Sequence, residues 1–338
     1  MLLLEGHNAN DIWRQAAEMF LCHSDNRLHP TRRRDTQEFL HVALSIADPR
    51  QRWTTVRKPP INPAFAIAET IWIMNGRNDA SFLTFWNQEL IKHIGSGPFY
   101  HGAYGYRLRC HFGIDQLVRA YESLSHDPDT RQIVLQIWDS HIDFPDERGK
   151  AADSDIPCNV LALLKLQDGA LDWMQIIRSN DLFLGLPYNL VQFTTLQEIL
   201  AGWLGVKVGT YNQISDSLHL YDRHVGIVAI DTDVPYTQNN DSLALPKDKS
   251  DYVMQMMQQY IERLIGDDIT GTDTTILLRS SNIPSAYYNQ LCILAAESSR
   301  RHKRLDVIPD IVSKCTNPIL KLAWNRWYNH ISKKDEID

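Results

Sequence analysis

Between Val160 and Ile177 the chain is patterned in a way that permits little besides an antiparallel strand pair. Two strand-like runs, Val160 to Gln167 and Ala170 to Ile177, are separated only by Asp168-Gly169. Asp-Gly accepts the positive φ angles of a two-residue hairpin turn. Folding one run back on the other brings Cys158 and Arg178, which lie just outside the runs, to the same end of the hairpin. A thiol has an ordinary pKa of about 8.5 and becomes a nucleophile at neutral pH beside a cation. Most lone cysteines are small buried hydrophobes. Cys158 departs from that pattern, because Pro157 fixes its approach and polar Asn159 follows it. Cys22, Cys110, Cys292 and Cys315 have no such setting and read as structural.

The five cysteines are scattered without a Cys-x-x-Cys pair, which argues against a disulfide framework or a zinc site and for a reducing, cytoplasmic compartment. A formal net charge of -7 provides no global basic field, so nucleic-acid binding is not expected. Met1-Leu2-Leu3-Leu4 meets Glu5 at once and is too short for a signal h-region. No apolar run approaches the roughly 18 residues of a membrane span.

Periodicity predicts helices over Asn8 to Cys22, Ala64 to Met74, Asp115 to Leu124 and Tyr188 to Leu204. Strands are expected at Phe39 to Ile46, Gln132 to Trp138 and Val208 to Ile214, and a basic, proline-started loop at His29 to Arg34. The polar, turn-rich stretch Asp231 to Pro246 marks a soft boundary. It divides a sheet-containing part (1–240) from a mostly helical extension (241–338) packed on it. Helices are expected there at Asp251 to Ile265, Pro284 to Arg300 and Ile319 to Ile331. The fold class is therefore α+β with a C-terminal helical appendage.

Several motifs occur in a telling order. Glu69-Thr70-Ile71-Trp72-Ile73-Met74-Asn75-Gly76 is followed by Gly102-Ala103-Tyr104-Gly105 and Asp127-Pro128-Asp129-Thr130-Arg131. Then come Cys158, Arg178-Ser179, Asp181, Leu184-Gly185, Pro187, Asn189 and His219-Leu220-Tyr221. The set resembles the thymidylate synthase and pyrimidine nucleotide hydroxymethylase family over most of residues 30–224. The resemblance implies a mixed β-sheet packed with helices and a covalent mechanism on a pyrimidine nucleoside monophosphate. Cys158 would add to C6 of the ring, and C5 would then attack the methylene of the co-substrate 5,10-methylenetetrahydrofolate, with no metal. Glu69 would handle protons through water, and Tyr104 would help remove the C5 proton. Asp181 would serve both catalysis and the folate, together with Leu184 and Gly185. Arg32, Arg131, Arg178 and Ser179 would hold the phosphate. His219 and Tyr221 would bind the sugar hydroxyl and Asn189 the base edge, where its amide suits uracil. The Arg131 position reaches into a neighbouring subunit in this family, which implies a homodimer.

Four departures from the family pattern matter, the last two of them for the outcome. Asn159 stands where the methylating members carry His, and Gln132 where they carry a second arginine. Phe85-Trp86-Asn87-Gln88 matches their tryptophan cluster poorly, and the chain ends Lys333-Lys334-Asp335-Glu336-Ile337-Asp338 instead of in an apolar tail. A dry site lets the folate reduce the C5 methylene to methyl, whereas a wet one gives hydroxymethyl. The expected reaction is hydroxymethylation of dUMP, ahead of reductive methylation to dTMP. Behind these stand hydroxymethylation of a cytidine monophosphate and a non-catalytic nucleotide-binding relative. A Cys158-His219 hydrolase lacks any oxyanion turn or nucleophile elbow.

Overall fold

The computed structural model describes residues 1–22, 29–30 and 35–335. Arg32 therefore lies outside the described residues. The architecture is α+β, a mixed sheet covered by helices. The strands are β1 (Leu2–Gly6), β2 (Asp35–Ile46), β3 (Val134–Gln136), β4 (Asn159–Gln167), β5 (Ala170–Ile177), β6 (Asn180–Asp181) and β7 (Lys207–Tyr221). Their order is β1-β2-β7-β5-β4-β3, with β6 also on β7 and His29–Pro30 on β2. β1 runs parallel to β2, and β7 runs parallel to both β5 and β6. The remaining pairs within the sheet are antiparallel.

The β4–β5 hairpin turns on Asp168 and Gly169, both at positive φ, and pairs Gln167 with Ala170 and Leu164 with Trp173. Pairing continues past the strands, where the Arg178 N–H donates to the Cys158 carbonyl at 2.9 Å. β7 extends seven residues beyond its apolar run and so carries His219 and Tyr221. The run Gln132 to Trp138 contributes only Val134–Gln136 to the sheet. Leu2–Gly6, unmarked in the sequence as structure, is an edge strand in which Leu4 alone is buried.

Helices α1 (Ala9–Cys22), α3 (Gln116–His126) and α4 (Leu186–Leu204) pack on the sheet, and α2 (Pro63–Met74) packs on α4. Asn62 caps α2 by accepting from the Phe65 N–H, and Pro63 occupies its first turn, where a missing N–H does no harm. Every α2 residue except Glu69 is buried, so this acid is the helix's one polar opening to the site. α4 ends at Gly205 in the left-handed conformation.

The later helices α5 (Lys247–Leu264), α6 (Ser285–Arg301) and α7 (Pro318–Asp335) contact α2 and share its hydrophobic core. A further helix, Gly271–Ser280, was not expected; the reciprocal Thr270–Asp273 capping box that starts it was its sequence signal. The stretch Asp231 to Pro246 is anchored by its polar groups. Asp241 accepts from Asn289 and Asn317, Asp231 pairs with Lys58 and Arg326, and the Leu243 N–H donates to Glu198. Glu198, on α4, also meets Arg52 at 2.5 Å, and both side chains are inaccessible to solvent. Arg52→Ala leaves that carboxylate buried without its cation. The expected loss is about 3–5 kcal/mol of unfolding free energy, to be read from urea denaturation midpoints.

Candidate active site

A cavity of about 540 Å³ opens at the end of the β4–β5 hairpin. Its lining brings together Glu69, Tyr104, Cys158, Arg178, Ser179 and Tyr221 from α2, the Tyr104–Tyr106 turn, the hairpin ends and β7. Arg178 holds the segment before Cys158. Its Nε donates to the Pro157 carbonyl at 2.9 Å and an Nη to the Ile156 carbonyl at 3.2 Å, and its guanidinium lies 5.4 Å from the centre of the Trp138 ring. The same side chain that presents positive charge to the cavity thus fixes the loop carrying Cys158.

Glu69 stands at the cavity floor. Burial pushes its carboxyl up to about 7, with the Gln192 amide pulling the other way, and Oε2 has no protein hydrogen bond. Its pKa near neutrality suits a group that both gives and takes protons. Burial drives the Tyr104 hydroxyl far above its ordinary range, reinforced by Cys158, Asp155 and Glu69 and opposed by the Asn159 amide. Tyr104 is therefore a neutral hydroxyl at physiological pH. A π-helical turn, Arg107–His111, follows it directly. Gly105 makes this packing possible, since a Cβ there would lie 2.3 Å from the Ile73 carbonyl oxygen of α2.

Other expected residues sit beside the cavity without lining it. Asp181 accepts from the Phe183 and Leu184 N–H groups at 2.6 and 3.1 Å, which shapes the turn into α4, and its Oδ2 is buried without a partner. Leu184 and Gly185 belong to that turn, and a Cβ on Gly185 would approach Asn180 Oδ1 to 3.0 Å. His219 pairs in register with Asp181 across β6–β7, and burial lowers its pKa, so it is neutral near pH 7. Its ring meets Tyr221 edge-on at 5.1 Å. Arg131 is exposed, before β3, and away from this cavity.

Asn189, on α4, is buried and donates to Asn180 Oδ1 at 3.2 Å. Asn180 in turn donates to Ser215 Oγ, which also accepts from Gln213, whose Oε1 accepts from Tyr211. This chain assigns the Asn180 oxygen as an acceptor and thereby the orientation of the Asn189 amide. Asn159 is fully buried and accepts from Gln175 at 3.1 Å, which makes it a sheet-core residue.

The sequence did not single out Tyr100, Trp138, Asp143 or Asp155 as wall residues. Asp143 is fixed by His101 at 2.7 Å and by Arg107 at 2.9 and 3.2 Å. Trp86 is fully buried away from the cavity, where its carbonyl accepts from Asn62 and Arg301, and Leu83 and Leu90 line the wall instead. Among the described residues no cluster of metal-ligating side chains occurs, and no helix is long and apolar enough to cross a membrane.

The family model for thymidylate synthase matches residues 35–259. The chain belongs to the thymidylate synthase family. Within that family it is similar to proteins named deoxyuridylate hydroxymethyltransferase. That of Bacillus phage SP01 is 35% identical over 266 residues, 71% of this chain and 68% of the relative. Those of Pseudomonas phage M6 and Delftia phage PhiW-14 are 37% and 32% identical, over 50% and 54% of this chain. The chain spans about half the length of these latter two, 47% and 52%. As a member of this family the protein is a one-carbon transferase.

Glu69 also predicts a pH dependence of stability. The folded state holds this proton up to about 7, whereas the unfolded chain releases it near 4.5. Between those values the folded state binds more protons, so this group's contribution to stability declines as pH rises. Glu69→Gln should flatten that decline, measured as urea unfolding free energy at about pH 5 and about pH 8.

Proposed function

We propose that this protein hydroxymethylates dUMP at C5, using 5,10-methylenetetrahydrofolate. The observation that carries the reading is one cavity lined by a thiol, an Arg-Ser pair, an acid whose carboxyl is pushed up to about 7 and a neutral tyrosine hydroxyl, in a family relative of phage deoxyuridylate hydroxymethyltransferases. Cys158 adds to C6 and makes C5 nucleophilic toward the folate methylene. Glu69 relays protons to the ring oxygen, and Tyr104 with its associated water receives the C5 proton. Arg178 and Ser179 take the phosphate, with Arg32 and a second subunit's copy of Arg131 completing its shell in a homodimer. His219 and Tyr221 address the sugar, and Asp181, Leu184 and Gly185 the folate. The oriented Asn189 amide offers an N–H to uracil O4 and its oxygen to N3–H, an arrangement that disfavours cytosine.

Two features support the wet outcome. Leu83 and Leu90 line the cavity while Trp86 is withdrawn into the core, and Asp153, Ser154 and Asp155 add polar groups to the lining. Water reaching the exocyclic methylene competes with hydride transfer.

Incubation of the protein with dUMP and methylenetetrahydrofolate should yield 5-hydroxymethyl-dUMP and tetrahydrofolate by mass spectrometry. Thymidylate with dihydrofolate would instead assign the methylating reaction. Cys158→Ser should lower turnover by about 10³-fold or more and abolish the covalent adduct with 5-fluoro-dUMP. Asn189→Asp should reduce dUMP turnover by about 10²-fold and admit dCMP, as scored by product mass with each nucleotide.

A further inference from the structure

Two wall residues have no role in the chemistry above. Asp155 lies three positions before the nucleophile, and Tyr100 comes from the opposite loop; both line the cavity. Their loops are joined at Gly102, whose N–H donates to Asp155 Oδ2 at 2.8 Å. A Cβ at Gly102 would lie 2.9 Å from the Asp155 carbonyl oxygen and 3.1 Å from the Pro157 nitrogen, so this approach requires glycine. Tyr100 is 5% exposed, and its hydroxyl has no protein partner. That hydroxyl lies within the electrostatic reach of both Asp155 and Glu69, whose Oε2 is likewise unpartnered. Asp143, a buried wall acid, is fully engaged by Arg107 and His101. Asp155 has only the Gly102 N–H on its carboxylate among the described residues.

A buried hydroxyl beside a carboxylate with spare acceptor sites is a setting that binds water, which needs two to four polar partners. We propose that Asp155 and Tyr100 hold the water that attacks the C5 methylene carbon and so determine the hydroxymethyl product. The proposal rests on the hydroxymethylating reading above. In the step, the water oxygen bonds to the methylene carbon and one water proton passes to Asp155. The electron pair of the exocyclic double bond moves onto the C4 oxygen as an enolate. The enolate then reforms C5=C6 and expels the Cys158 thiolate. Tetrahydrofolate has already left as an amine, and nothing is oxidised or reduced. Burial and the neighbouring Asp153 raise the Asp155 pKa, which makes its carboxylate a stronger base. Tyr100 keeps its proton, because burial pushes its hydroxyl up to about 12, and it can orient the water by hydrogen bonding.

Asp155→Asn keeps an acceptor for the Gly102 N–H, and Tyr100→Phe removes one hydroxyl. Both are compared with the wild-type protein using C5-tritiated dUMP and methylenetetrahydrofolate, with 2-mercaptoethanol present to capture unhydrated methylene. Tritium release reports Cys158 addition and C5 deprotonation, and product mass reports hydration. The expected result is tritium release within about threefold of wild type, with hydroxymethyl product per tritium released down by about tenfold or more in each variant. The difference should appear as the thioether adduct or as thymidylate. The proposal is overturned if that ratio is unchanged, or if tritium release and product fall in parallel. Failure of the wild-type protein to release tritium would overturn the hydroxymethylating reading itself, and this proposal with it.

Discussion

The backbone pairing of β4 with β5 is the constraint on which the rest of the site depends. Its register is set by a turn whose two residues both occupy positive φ. A one-residue slip in such a pair would turn every inward side chain outward. Here it would also separate Cys158 from Arg178, because the last link of the pairing is the hydrogen bond between their backbones. The Arg178 side chain then returns to the Pro157 and Ile156 carbonyls. The Cys158 thiol and the Arg178 cation are therefore held by one continuous network of backbone and side-chain bonds.

A second support comes from outside the sheet. The C-terminal helices press on α2, the helix that carries Glu69, and their polar anchors are charge pairs built around buried carboxylates. Glu297 is fully buried and paired with the partly exposed Arg300 and Arg301, and Arg301 reaches the Trp86 carbonyl. Arg52 and Glu198 tie α4 to the chain at Leu243. Each charge is paired because an uncompensated one would cost several kcal/mol at such depth. Trp86 is committed to this framework, and at its end of the cavity Leu83 and Leu90 line the wall instead.

Much of this was legible in the sequence where local chemistry decides structure. Ala170–Ile177 and the Asp168-Gly169 turn follow from alternation and turn preference alone. The extension of β7 to Tyr221 did not, because Ser215, Asp216, Ser217 and His219 break the apolar pattern. Ser215 is nonetheless buried there, bonded to Asn180 and Gln213. Leu2–Gly6 escaped notice because an edge strand with one buried leucine has no periodicity to read. In the site, the ordered motifs pointed to Cys158, Arg178, Glu69 and Tyr104, and the fold gathers them in one cavity. Asp155 and Tyr100 gave no such signal, since their neighbourhood depends on two loops meeting at Gly102.

Gly105 has a consequence for how the molecule can respond to ligands. With no Cβ, its backbone lies directly on the Ile73 carbonyl of α2, four residues along from Glu69. The Tyr104 turn and the helix bearing Glu69 are thereby fused into one rigid unit with no side chains between them to reshuffle. The spacing of acid and hydroxyl is a property of main-chain geometry, indifferent to repacking around it. Drift among descendants of this sequence is thus free to remodel the rim and alter which molecules enter, while Glu69 and Tyr104 beneath keep their original alignment.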